Sequence, residues 1–285
     1  MTYTYKNMQR WIIGTCLLCF YCSSFSQGTT ASPGEKIYEA NYWISGSIAL
    51  LGAAASNIAR GRLRDKPGIA EIHVNRITAK GVNRFDRWAL RQDPFSKEKA
   101  QKVSDRILYA SAALPILLFL DKDIRQNWLD ISLMYAETQA INSNMYGWSP
   151  LGPNFVERYR PAVYYEELPL KERNFGNLRN SFYSGHVAST ATGAFFAAKV
   201  FSDYHPNLGG KKYLLFGLAV LPPAVVGIYR IKALKHFPSD VIVGAAIGAS
   251  IGILIPEFHR LAMNRASFSA IYSEEVKGLG MIYRF

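Results

Sequence analysis

The chain has 285 residues, 49% of them hydrophobic and 19% charged, against roughly 25% charged in a typical soluble domain. That composition excludes a disordered or low-complexity chain. Lys and Arg number 33 against 21 Asp and Glu, a formal charge of +12. So basic a chain calls for an anionic partner, nucleic acid or phosphate-bearing lipid, and the clumping of apolar residues into long blocks favours lipid. The three cysteines, Cys16, Cys19 and Cys22, all lie in the first 26 residues. If that segment is removed, disulfides, zinc–thiolate sites, iron–sulfur clusters and cysteine nucleophiles go with it.

Residues 1–26 have the layout of an export signal. Lys6 and Arg10 form a basic start and Trp11 to Tyr21 an apolar core; Ser24-Phe25-Ser26 makes a small-x-small cleavage site before Gln27. The competing reading is an uncleaved first membrane helix. Six apolar segments follow, near 42–59, 107–120, 128–147, 184–202, 213–229 and 241–256. A bilayer span needs about 20 residues, so these segments predict an all-α fold, a six-helix transmembrane bundle. A soluble all-helical core is the alternative. The second block reaches span length only by recruiting Ser104-Asp105-Arg106 or earlier residues, and Ser104-Asp105 is expected to cap its helix. The third carries Asp130, Glu137 and Gln139, which must face the bundle or an interface rather than lipid tails. In the sixth, Gly244, Gly248 and Gly252 share one helical stripe, which permits close helix–helix approach.

Residues 60–106 are strongly basic, from Arg60 to Lys102, and read as a solvated connection beside anionic headgroups. Acids such as Asp65, Asp86 and Asp93 are mixed in and no nucleic-acid fold motif accompanies them, so no nucleic-acid partner is expected. The chain thus divides into a signal peptide (1–26), a first span with its basic connection (27–106), a catalytic helical core (107–261) and a tail (262–285). The tail alternates loosely around Gly278-Leu279-Gly280, as a short C-terminal β-hairpin would. His73, His205 and His259 are expected at solvent or headgroup positions, without a role.

Chemistry-bearing residues gather at the block ends in three clusters. Arg158-Tyr159-Arg160-Pro161 follows the third block, Ser181-Phe182-Tyr183-Ser184-Gly185-His186 opens the fourth, and Arg230, His236 and Asp240 bridge the fifth and sixth. Arg160 and Arg230 can each fork two hydrogen bonds onto phosphate oxygens. Ser184 and Gly185 sit where a helix begins, so backbone N–H groups and the helix dipole face an anion, and glycine lets the backbone approach closely. Together these make a pocket for a tetrahedral oxyanion. Asp240, four residues after His236 with Pro238 between, is placed to accept from one ring nitrogen and leave the other's lone pair outward as a nucleophile. His186 then donates a proton to the leaving oxygen and activates the water that releases phosphate. Singly, each cluster has a structural explanation. Counting spans puts the connections after the third and fifth blocks on one side of the membrane, where all three can meet.

In this order the clusters resemble the type 2 phosphatidic acid phosphatase (PAP2) superfamily, which shares its helical core with the vanadium haloperoxidases. The family pattern is Lys-x6-Arg-Pro, Pro-Ser-Gly-His and Ser-Arg-x5-His-x3-Asp. Arg160-Pro161, then Ser184-Gly185-His186, then Arg230, His236 and Asp240 match it, within residues 105–260. Pro153 stands where the lysine should fall, Tyr183 precedes Ser-Gly-His, and Tyr229 precedes Arg230. The missing phosphate contact must come from elsewhere, with Arg158 as the candidate. The resemblance implies metal-independent hydrolysis, without a cofactor, of a phosphomonoester or diphosphate through a phosphohistidine on His236. His186 would be general acid and base, Asp240 the orienting carboxylate, and Arg160, Ser184, Gly185 and Arg230 the phosphate ligands. It also implies a lipid substrate of the phosphatidate, phosphatidylglycerol phosphate, isoprenyl diphosphate or lipid A phosphate class. The other readings are a vanadate-dependent haloperoxidase and a catalytically dead lipid-binding scaffold, for which Pro153 speaks.

Two arguments oppose each other on the side of the membrane. A cleaved leader followed by six spans puts the first, third and fifth connections in the cytoplasm, in agreement with the basic 60–106 stretch. The resemblance instead implies a multi-pass protein of a bacterial-type inner membrane with its site toward the periplasm. The sequence names neither the lipid nor the oligomeric state.

Overall fold

The computed structural model describes residues 36–272 and 277–283; the expected leader at 1–26 lies outside them. Among the described residues, the helices of eight residues or more are α1 (Tyr42–Arg64), α2 (Lys97–Ala113), α3 (Trp128–Trp148), α4 (Gly185–Tyr204), α5 (Lys212–Ala219), α6 (Leu221–Lys232) and α7 (Pro238–Arg265). Each apolar block coincides with one of these helices, except that the second runs from α2 into a 3-10 helix (Leu114–Leu120) and the fifth is split between α5 and α6. Pro222 and Pro223 cannot continue α5, and they open α6, where a missing N–H costs nothing. The chain ends in an antiparallel strand pair, β1 (Ala266–Tyr272) with β2 (Lys277–Tyr283).

Among the described residues, three stretches are long and apolar enough to cross a membrane by length and composition: Pro94–Leu120, Pro206–Lys232 and Pro238–Leu261. Their outward faces carry exposed aliphatic side chains such as Leu117, Leu120, Leu218, Leu221 and Ile242. Such faces are costly in water and at home among lipid tails. The polar residues of α3 turn inward, as expected. Asp130 takes the N–H of Ala40 (3.0 Å) and Lys36 (3.2 Å), and Glu137 pairs with His259 (3.0 Å).

The second block corrects one expectation. Ser104 and Asp105 do not cap a helix; they lie within α2, which begins at Lys97. The start signal is upstream, where the Asp93 carboxylate accepts from the N–H of Phe95 and Pro94 opens the turn. Ser104 is buried and hydrogen-bonds back to the carbonyl of Gln101 (2.8 Å), so its polarity is satisfied inside the helix. The histidines also differ from expectation. His73 is exposed, but His205 pairs with Asp121 (3.0 Å) and His259 with Glu137.

Helix α4 is the centre of the bundle, packed by α7, α6, α2 and α3. Its tightest neighbour is the glycine stripe of α7. A Cβ on Gly244 would lie 2.5 Å from the carbonyl oxygen of Ser184, one on Gly248 2.1 Å from that of Ala188, and one on Gly252 2.6 Å from that of Thr192. The helices touch backbone to backbone, so nothing flexible can yield. Gly248→Ala is therefore expected to lower the melting temperature in detergent, since overpacking of this kind costs about 1–3 kcal/mol. Gly46→Ala is the control, because a Cβ there meets nothing within 4 Å; equal melting of the two variants would refute the close contact.

At the C-terminal ends of α4 and α7 lies an ionic cluster. Lys199 pairs with Asp203 and with Glu257 (2.7 Å), Arg260 pairs with Glu257 (2.7 Å), and the Tyr38 hydroxyl donates to Asp203 (2.6 Å). Lys199 and Asp203 are about four to five turns of α4 away from His186, about 20–25 Å at 1.5 Å per residue. Charge thus collects at both poles of the bundle, and the predicted chemistry sits at the other one.

Candidate active site

The loop bearing His236 is shaped by the end of α6. The N–H of Leu234 donates to the carbonyl of Ile231 (2.9 Å) and that of Lys235 to the carbonyl of Arg230 (3.1 Å), the hydrogen-bond pair of a Schellman turn. Leu234 takes the left-handed position, at φ 57°, which costs a non-glycine residue on the order of 1 kcal/mol. Its side chain is fully buried in a cluster with Ile69, Val163 and Leu178, which offsets the strain. The turn delivers Lys235 and His236 beside Arg230.

His236 is buried, and its Nδ1 lies 2.6 Å from the carbonyl oxygen of Ser181. A carbonyl can only accept, so Nδ1 carries the hydrogen and Nε2 keeps its lone pair. Burial, then the charges of Arg230 and Arg160, push this imidazole well below its ordinary pKa, outweighing the opposite pull of the Ser181 carbonyl. The ring is therefore neutral, with one fixed tautomer and an unprotonated Nε2.

Asp240 does not reach His236 directly. Its Oδ2 accepts from the Ser181 hydroxyl (2.6 Å) and from the N–H of Phe237 (2.7 Å). Asp240 stands at the third position of α7 and closes back onto the N–H of the residue before the helix, half of a capping box. It thus grips Phe237, which follows His236, and Ser181, whose carbonyl orients the ring. Orientation of His236 by Asp240 runs through these two residues.

Arg158 also lies elsewhere than expected. Its Nη2 meets Asp86 (2.7 Å), its Nη1 meets Ser239 (2.8 Å) and Asp240, and its guanidinium covers the Phe237 ring at 4.5 Å. Both terminal nitrogens are committed to carboxylates rather than facing an open oxyanion. Position 153, where the family lysine is missing, gives its carbonyl to Lys66 Nζ (2.5 Å).

Arg160 and Arg230 are both buried. Arg160 donates to the side chain of Asn177 (3.2 Å) and the carbonyl of Asn180 (3.3 Å); Arg230 faces Asp105 (3.4 Å). The same Asp105 oxygen lies 3.2 Å from Nε2 of His186. Ser184 precedes α4 without a side-chain cap, and a Cβ on Gly185 would press on the Tyr146 ring at 3.0 Å. Four polar atoms here are buried without a hydrogen-bond partner: Nε of Arg160, Nε of Arg230, Oγ of Ser184 and the hydroxyl of Tyr183. Buried donors of this kind are costly unless something accepts from them. Among the described residues no group of three or more His, Cys, Asp or Glu is placed to hold a metal ion.

The contacts of four residues were not legible in the sequence. Asp105 joins Arg230 to His186, Ser181 orients His236, and Asp86 holds Arg158. Lys235 lies next to His236, its pKa lowered to about 8 by burial and by the neighbouring charges of Arg160 and Arg230.

These features describe a helical bundle with outward aliphatic faces and a cluster of buried histidine and arginine side chains at its helix ends. Residues 127–263 match the family model of the PAP2 superfamily. The molecule is also similar to the crystal structure of the first transmembrane PAP2 type phosphatidylglycerolphosphate phosphatase from Bacillus subtilis. The two are 19% identical, with a TM-score of 0.39, over 76% of this chain and 92% of that one. No curated protein matches the chain.

Proposed function

We propose that the protein is a membrane phosphatase that removes phosphate from a lipid phosphate or diphosphate through a phosphohistidine on His236. The observation that carries this reading is the set of unpartnered buried donor atoms, Nε of Arg160, Nε of Arg230 and Oγ of Ser184, close to an imidazole whose Nε2 carries no hydrogen. The first-turn N–H groups of α4 add to them. Such a set accepts a tetrahedral dianion and holds it against the lone pair. The outward aliphatic faces of the candidate spans support a lipid as carrier of the phosphate.

The steps follow from the placement. Nε2 of His236 forms a bond to phosphorus as the bond from phosphorus to the leaving oxygen breaks. His186 in its protonated form, Nε2 3.2 Å from the Asp105 carboxylate, gives that oxygen a proton. The phosphorylated ring is cationic, and it keeps its Nδ1–H on the Ser181 carbonyl. Water then loses a proton to His186 and attacks phosphorus; the P–N bond breaks, and His236 returns neutral. No step needs a metal.

Lys235 supplies a third positive charge in place of the lysine lost at position 153. It deprotonates near pH 8 in the ligand-free site. Affinity for orthovanadate is therefore expected to fall as the pH rises through about 8, and Lys235→Arg to move that fall to higher pH; a profile that is flat or unchanged in the variant would remove Lys235 from the site.

The deciding experiment is a phosphate-release panel in detergent with chelator present, comparing phosphatidate, phosphatidylglycerol phosphate and an isoprenyl diphosphate. Release from at least one of them is expected. Lipid binding with no release from any would favour a scaffold. Peroxide-dependent halide oxidation by the vanadate-loaded protein would favour a haloperoxidase.

A further inference from the structure

We propose that Asp86, which lies outside the family segment in the connection between α1 and α2, is a positioning residue for the His236–Asp240 loop. It rests on the phosphatase reading for its kinetic readout. Asp86 is fully buried, and its carboxylate is filled from four directions. Oδ1 accepts from the N–H of Ser239 (2.9 Å). Oδ2 accepts from the Ser239 hydroxyl (2.8 Å), from Arg158 Nη2 (2.7 Å) and from the Asn83 amide (2.6 Å).

Two consequences follow. The N–H of Ser239 belongs to the first turn of α7, one of the donors a helix cannot satisfy itself. Asp86 caps it from another part of the chain and sets a negative charge on the positive end of the helix dipole. Asp86 also pins Arg158, whose other terminal nitrogen holds Asp240. The result is a buried row of carboxylate, guanidinium and carboxylate. Without Arg158 the two acids would stand close around Ser239, and one would take up a proton. Burial alone would raise the Asp86 carboxyl; the two hydrogen bonds from Ser239 and then Arg158 outweigh it and hold it below the ordinary carboxylate range.

Packing reinforces the same link. Val82 and Ala89, on either side of Asp86, are buried against Ile231 and Phe237, and Phe237 is the neighbour of His236. The connection is therefore bolted to both sides of the proposed nucleophile. Asp86 touches neither the oxyanion donors nor the ring, so its influence is on position, and misplacement by about 1 Å costs on the order of 100-fold in rate.

The test uses the full chain in detergent and four variants: Asp86→Asn, Asp86→Glu, Arg158→Gln and the double variant Asp86→Asn/Arg158→Gln. Asp86→Asn and Arg158→Gln are each expected to lower kcat by 10- to 100-fold with KM within about threefold. Orthovanadate, which mimics the five-coordinate transition state, should lose affinity by the same factor as kcat. The double variant should fall no further than the worse single, because one unit has been broken. Asp86→Glu keeps the charge and should recover part of the loss, which covers the case in which Asp86→Asn fails to fold. Normal kcat in a folded Asp86→Asn protein, a change in KM alone, or multiplying losses would each overturn the proposal. If the wild type releases no phosphate, the phosphatase reading fails by itself. Vanadate affinity then decides: a tenfold loss in Asp86→Asn sustains the positioning role and equal affinity ends it.

Discussion

His236→Asn is expected to lower turnover by on the order of 10⁴-fold or more while leaving the protein folded. The asparagine amide can donate to the Ser181 carbonyl, as Nδ1 of the imidazole does at 2.6 Å, so the buried acceptor stays paired. What is lost is Nε2, the atom that forms the bond to phosphorus, and removal of a covalent nucleophile costs losses of this size elsewhere. Alanine is the poorer probe, because it strands the carbonyl in a buried setting at about 1–3 kcal/mol. The wild type should also yield an acid-labile phosphoryl group after brief exposure to labelled substrate, and the asparagine variant none. A variant turning over within tenfold of the wild type would show that phosphate leaves by direct attack of water, and His236 would lose its role. The pH profile offers a second check. Because burial and two arginines keep the ring neutral, the acid limb of kcat/KM assigned to His236 should lie below 6.5, the ordinary imidazole value.

How much of this was legible in the sequence depended on the range of the interaction. The helices could be read because burial in a bundle or a bilayer writes itself as long apolar runs, and the Gly244–Gly248–Gly252 stripe marked a face for close helix packing, though not its partner, which the fold shows to be α4. The start of α2 was misplaced because Ser104 and Asp105 look like a cap. In the fold they are polar residues on an internal face, turned toward Arg230 of α6. The His236–Asp240 pair illustrates a subtler limit. A spacing of four suggests direct contact only within one helix, and His236 lies before α7, so the carboxylate meets Phe237 N–H and Ser181 instead. Arg158 and Asp86 were illegible for another reason. Their partners are 72 and 82 positions away for Arg158 and 153 for Asp86 to Ser239, and no local pattern encodes such a match. Lys235 was passed over because the family pattern directs attention to position 153, whereas electrostatics requires only that positive charge reach the same place.

The second large effect concerns Arg160. Its replacement by Gln is expected to lower kcat by about 100- to 1,000-fold, the usual range for removing one preorganised donor from a developing oxyanion, and yet not to destabilise the ligand-free protein as the loss of an ordinary buried arginine would. The reason lies in its partners. Among the described residues, Arg160 hydrogen-bonds an asparagine side chain and a backbone carbonyl rather than a carboxylate. Burial opposes its charge, although Asp240 favours it from nearby. Arg160 also helps to lower the pKa of Lys235 and His236, so without a bound anion it repels Lys235. Glutamine removes that repulsion and keeps a donor for Asn180. The two states of the wild type should therefore differ sharply. Orthovanadate at 100 times its dissociation constant adds about 2.7 kcal/mol to stability, and the melting temperature should rise accordingly. In Arg160→Gln the same concentration should produce a much smaller rise. A variant that melts far below the wild type, but responds to vanadate equally, would assign Arg160 to the scaffold and leave the oxyanion to Arg230 and the helix N-terminus.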